Sequence, residues 1–155
     1  MQPEPLPPPT ADLPGAMLGV WRLVSREDYD REGRRLIDPF LGPDPLGILS
    51  FAPKHFAAQF MNRRRSVGVG AGSAPSDANN SSAVNGYDAY FGTYTVDAAR
   101  GSIATRLEGA LAPQNVGQEF TRDIRVAGDR LWIRLGTNAA DGTPITRTLT
   151  FERAG

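Results

Sequence analysis

From Gly19 onward, apolar and polar residues alternate in twos along most of the chain. The segments "GVWRLVSRED", "LGILSF", "FAAQFMN", "YFGTYTVD", "SIATRLEG", "QEFTRDIRVA", "RLWIRLG" and "ITRTLTFER" are strand-length and rich in β-branched or aromatic residues. Turn chemistry separates them at Pro53-Lys54, Ala99-Arg100-Gly101, Gly128-Asp129 and Asp141-Gly142-Thr143-Pro144. Helical periodicity is weak, and one short helix is expected just before Tyr90. Many short strands on hairpin connections form a meander, and a meander of this size closes most simply on itself. The expected fold is all-β, an up-and-down antiparallel barrel of about 8–10 strands.

Two stretches do not join this pattern. Residues 1–14, "MQPEPLPPPTADLP", are too rich in proline for helix or central strand and read as a disordered tail. The domain proper is then expected over residues 15–155. Arg63 to Gly86 is small and polar, offers little to bury, and is long for a simple connection. It reads as a flexible flap. Its "GVGAG" has the composition of a phosphate loop but neither the following Lys-Ser/Thr nor a strand-to-helix context, which argues against a nucleotide site.

Composition narrows the chemistry. The chain's 155 residues suit one domain with one core, and its 17 Lys+Arg balance its 17 Asp+Glu. No global field draws it to nucleic acid or to an anionic membrane. With no cysteine, disulfides, thiolate nucleophiles and Cys-ligated zinc are excluded, and the lone His55 cannot build a histidine metal site. No cofactor or metal is expected. The start of the chain lacks a signal-peptide pattern and no apolar run approaches a membrane span, so a cytoplasmic protein is expected.

At several points in order, the sequence resembles the lipocalin-like domain family, small bacterial and fungal barrels of the calycin superfamily. The matching residues are Leu18 to Ser25, Gly42-Pro43-Asp44-Pro45-Leu46-Gly47, Tyr90-Phe91-Gly92-Thr93-Tyr94, Leu107-Glu108-Gly109 with Pro113 and Val116-Gly117, Gly128-Asp129-Arg130-Leu131, and Phe151-Glu152-Arg153. The resemblance implies a barrel with an internal cavity for an apolar small molecule. Some such barrels are similar to pathway enzymes that cyclise or isomerise natural-product intermediates. Relatives often carry histidines just before the Glu-Gly and aromatics in the next loop, where this chain has Thr105, Arg106, Ala112 and Asn115.

Hairpin registers locate the inward face. A two-residue turn at Gly128-Asp129 sets Val126 opposite Leu131, Ile124 opposite Ile133 and Arg122 opposite Leu135. Carried onward, Leu135 faces Arg147; carried backward, Arg122 faces Thr105 and Thr105 faces Tyr94. One level then reads Tyr94, Thr105, Arg122, Leu135, Arg147, with Val96, Ile103, Leu107, Phe120, Ile124, Leu149 and Phe151 above and below it. Glu108, Glu119, Asp123 and Glu152 point outward by the same parity. Arg122 and Arg147 thus sit on an apolar face with no carboxylate on these strands, and buried cations need a reason. The resemblance offers one, because the first-strand tryptophan of such barrels packs under an arginine at the closed end. Either arginine could cover Trp21, and either could clamp a ligand's carboxylate or phenolate with Tyr94.

The expected ligand-binding residues are Tyr94, Thr105, Leu107, Phe120, Arg122, Ile124, Ile133, Leu135, Arg147 and Leu149. The expected function is binding of an apolar small molecule bearing an acidic group. The alternative is a cofactor-independent cyclase, isomerase or dehydratase acting on a polyketide- or terpenoid-like intermediate, with Tyr94 and Arg122 as catalytic candidates. Tyr87, Asp88 and Tyr90 follow the flap and could line its mouth. His55 is expected exposed, and Arg63-Arg64-Arg65 solvated. Whether Gln59 and Met61 or Phe56, Ala58 and Phe60 face inward stays open at this point.

Overall fold

The computed structural model describes residues 4–65 and 85–155. The expected flap lies almost wholly outside the described residues. The strands are β1 (Gly19–Tyr29), β2 (Arg35–Leu36), β3 (Leu46–Phe51), β4 (His55–Met61), β5 (Tyr87–Asp97), β6 (Ser102–Ala110), β7 (Glu119–Ala127), β8 (Arg130–Asn138) and β9 (Pro144–Arg153). They form one sheet of nine strands in the order β2-β1-β3-β4-β5-β6-β7-β8-β9, and β1 also pairs with β9. Every pairing is antiparallel. β2 is a side ribbon on β1; the rest is a closed up-and-down barrel, as the alternation and the short turns require.

The hairpin arithmetic holds wherever the turn is short. Val126 faces Leu131, Ile124 faces Ile133 and Leu135 faces Arg147. Tyr94 faces Thr105 as well. It fails at β6–β7, where Arg122 faces Ile103 and Thr105 faces Phe120. The connection from residue 111 to 118 contains a 3-10 turn at Pro113–Asn115 and offers no two-residue turn to count across. A slip of two keeps the parity, so the inward set survives and only its level changes. Phe56, Ala58 and Phe60 are the buried set of β4, whereas Gln59 is exposed and Met61 half-buried. His55 is exposed at the start of that strand.

Two bulges reshape the walls. Between Leu23 and Ser25 the β1–β9 register shifts, so Trp21 and Leu23 point inward and, past the exposed Val24, so do Arg26 and Asp28. Between Phe91 and Gly92 the β5–β6 register shifts too, and a Cβ at Gly92 would collide with the Arg106 carbonyl. Glu108 stays exposed beside that bulge.

The short helix expected before Tyr90 is instead the start of β5. The helix found among the described residues is α1 (Leu13–Ala16), whose Pro14 occupies the first turn, where a missing N–H costs nothing. α1 falls across the boundary expected at residue 14 and buries Leu13 in the core. The proline-rich stretch before it touches the barrel wall from residue 4 onward. Arg134 donates to the Glu4 carbonyl at 2.6 Å and Arg125 to the Pro7 carbonyl at 2.8 Å. Proline removes donors but leaves carbonyls, and outward arginines of β7 and β8 use them. No helix among the described residues is long and apolar enough to cross a membrane.

α1 closes one end. Leu13, Met17, Trp21, Leu131 and Phe151 are fully buried there. The Trp21 indole N–H donates to the Met17 carbonyl at 2.9 Å. The arginine over Trp21 is neither Arg122 nor Arg147 but Arg153, 4.1 Å from the ring centre and donating to the Leu18 and Ala16 carbonyls at 2.9 and 2.8 Å. Arg153 is the direct β9 partner of Trp21, whereas Arg147 pairs with Asp28 near the opposite end of β1.

Candidate functional site

Above that floor the barrel holds a cavity. Room for the centres of water-sized molecules extends over about 60 Å³, several times what a single water needs. Phe51, Phe56 and Phe151 form its base, and Leu49, Phe60, Ile103, Leu107, Ile133 and Leu149 its sides. This wall follows from the period-two pattern: each residue belongs to the buried parity of its strand.

Polar groups gather toward the other end. Arg26, Arg147, Asp88, Tyr90, Thr105, Arg122 and Asn115 all contribute to the lining. Arg147 makes a two-point pair with Asp28, at 2.8 and 3.1 Å. These residues are cross-strand partners on β1 and β9, so the ion pair sits on the seam that closes the barrel. Arg26 lies 3.1 Å from Asp38 and 3.9 Å from Asp28. Asp38 is fixed in turn by its other oxygen, which accepts the backbone N–H groups of Phe40 and Leu41 at 2.7 and 3.1 Å. Burial, and then the positive charge of Arg147, push the pKa of Arg26 down, while Asp28 and Asp38 push it back up.

Asp88 joins none of these ion pairs. Burial lifts its carboxyl to a pKa of about 6, against the opposing pull of an N–H bond from Ala89 and of the Arg26 and Arg147 charges. Tyr90 lies two residues on, hence on the same inward face. Its phenol is raised by burial and drawn down by the positive charge of Arg122. Arg122 lays its guanidinium 4.9 Å from the centre of the Phe120 ring, and burial lowers its pKa as well. The cavity therefore pairs an apolar floor with a carboxyl, a phenol and a guanidinium.

Of the expected residues, Thr105, Leu107, Phe120, Arg122, Ile133, Leu135, Arg147 and Leu149 line this cavity. Tyr94 and Ile124 are not part of its wall. Tyr94 packs edge-on against Phe51 and donates to the Ala52 carbonyl, which turns its hydroxyl away toward the β3–β4 turn. Ile124 is buried. Arg147, taken from β5 to β9 alone as a cation without a carboxylate, has Asp28 of β1. Arg26 and Asp28 were missed because the bulge at Val24 inverts the parity that strict alternation assigns to β1, and Asp38 because it lies outside the strands. Of the residues expected at the flap's mouth, Asp88 and Tyr90 line the cavity, while Tyr87 donates to the Gln59 side chain at the exposed surface at 2.6 Å.

No curated protein matches the chain at a significant level. The model of a family described as a lipocalin-like domain matches residues 18–154, nearly the whole described barrel from Leu18 to the end of β9. A closed antiparallel meander, a first-strand tryptophan under an arginine and a central cavity accompany that match, and the chain belongs to the lipocalin-like domain family.

Proposed function

We propose that this barrel binds an apolar small molecule bearing an acidic group, with its hydrocarbon part on the phenylalanine floor and its acid toward Arg122 and Tyr90. The family's barrel supports ligand binding in general terms. The observation that carries the finer reading is the presence of Arg122 and Tyr90 in the same cavity wall as the phenylalanine floor. The clamp is centred on Arg122 because its guanidinium lies in the cavity wall against the Phe120 ring and close enough to Tyr90 for its charge to draw the phenol down, whereas Arg147 faces the Asp28 carboxylate. A guanidinium and a phenol in a low-dielectric wall hold a carboxylate or phenolate by charge-assisted hydrogen bonds.

Native mass spectrometry of freshly purified protein tests occupancy and gives the mass of any co-purified ligand. The affinity of a long-chain carboxylic acid against its methyl ester then tests the acid. Arg122→Met keeps most of the packing volume, and it should weaken acid binding about tenfold or more, in line with the loss of a charged hydrogen bond, while the ester changes little. Equal losses for acid and ester would overturn the acidic-group reading.

A further inference from the structure

We propose that the cavity is also a proton-abstraction site, in which the Asp88 carboxylate takes a proton from carbon in a bound apolar carbon acid while Arg122 and Tyr90 receive the charge that develops on its oxygen. The inference rests on the cavity being a small-molecule site. It rests further on three side chains that line one apolar space, from β5 and β7. For an enolisable ketone the C–H bond breaks and its electron pair becomes the new C=C bond. The carbonyl π pair moves onto oxygen, and where the ketone is β,γ-unsaturated the resulting dienolate takes the proton back at its γ carbon, which gives the conjugated isomer. Nothing is consumed, so no co-reactant is needed.

The surroundings of Asp88 suit a base. β4 presents Phe60 opposite it, with no titratable group at that position. β1 contributes Arg26 and Asp28, the stretch after β2 contributes Asp38, β9 contributes Arg147, and its own strand contributes Tyr90. Among these described groups, the two arginines already face Asp28 and Asp38 at 2.8–3.9 Å, so they leave the Asp88 carboxylate basic rather than quenching it. A carboxyl titrating at about 6 is ionised at neutral pH and is a far stronger base than one in water. An oxyanion beside Arg122 and Tyr90 would meet a cation and a hydroxyl donor away from water.

The probe is 5-nitrobenzisoxazole, a neutral bicyclic carbon acid. Removal of its C3 proton turns the C=N bond into a nitrile as the N–O bond breaks, and the pair leaves as a coloured phenolate. The proton ends on Asp88 and is returned to water. The full chain should accelerate this ring opening over acetate at the same pH, with kcat/KM rising to a plateau and half-maximal near pH 6. Asp88→Asn should lose at least about a hundredfold, the span of a positioned base, while still binding the neutral dye N-phenylnaphthylamine. Arg122→Met should lose less, with the loss in kcat. If dye and probe fail to bind, the cavity reading falls and this proposal with it. If both bind but the rate equals that in acetate, shows no pH dependence near 6, or survives in Asp88→Asn, the base assignment alone is overturned.

Discussion

The two ends of the barrel both hold arginines against apolar walls, and they stabilise them by different means. At the floor, Arg153 lies on the face of Trp21 and donates to two backbone carbonyls. Its side chain is 32% exposed, so much of its hydration is retained and no buried anion is required. At the other end, the side chain of Arg147 is 2% exposed and that of Asp28 5%, and each needs the other. A cation covered from one side can be satisfied by neutral partners; one enclosed on every side needs a carboxylate. Hence the floor is a plug, whereas the charged end is a network into which a further ionisable group, Asp88, is built.

The largest effect should therefore come from cutting the network. Asp28→Ala removes the carboxylate that faces both Arg147 and Arg26, and should cost about 3–5 kcal/mol. Arg153→Met at the floor should cost only about 1–2 kcal/mol, from a cation–π contact and two carbonyl bonds, and should also change Trp fluorescence. Urea unfolding of both variants checks the ranking. Equal costs would mean that burial does not separate the two ends.

A second, smaller effect depends on pH and distinguishes Asp88 from its paired neighbours. Its folded pKa of about 6 lies above the ordinary 3.8, so the folded state holds the proton more tightly than the unfolded chain. The stability this confers is complete below about pH 3.8 and is lost as pH rises through 6. Asp88→Asn escapes that loss. It should be more stable than the parent by about 2–3 kcal/mol at pH 8, the gap closing toward zero near pH 4. A constant gap across this range, or a destabilised variant at pH 8, would place Asp88 among the paired carboxylates instead.

The same contrast separates what the sequence made legible from what it hid. The strands, their order and most of the inward face follow from alternation and short turns, as the pairing of Ile124 with Ile133 shows. The charged end was hidden because one inserted residue at Val24 exchanges the two faces of β1, and alternation alone cannot detect a bulge. Asp38 was hidden for another reason. It lies outside the nine strands, where no periodicity applies, and its orientation is set by its own bonds to Phe40 and Leu41. Arg153 shares the parity of the inward Phe151 and is the direct partner of Trp21. The same alternation carried to the end of β9 reaches it, although the inward set drawn from the sequence ended at Phe151. It reaches Trp21 from the end of the strand, where a long side chain can fold back over the rim.

The smallest effect concerns Tyr94, whose inward parity made it a candidate acid and which the fold places with the floor. Its hydroxyl donates to the Ala52 carbonyl beside the β3–β4 turn, and its ring meets Phe51 edge-on 5.1 Å away. Burial raises its pKa, which favours the neutral, donating phenol. Tyr94→Phe retains the ring contact and loses one hydrogen bond, so it should cost about 1 kcal/mol. Because Phe51 stays in place as the base of the cavity, the affinity for an acid, the acid-to-ester ratio and the ring-opening rate should all match the parent. Calorimetric unfolding and a single titration measure both sides. A changed acid-to-ester ratio with normal stability would mean that Tyr94 reaches the ligand after all, and that the boundary between floor and site lies lower in the barrel than Phe51.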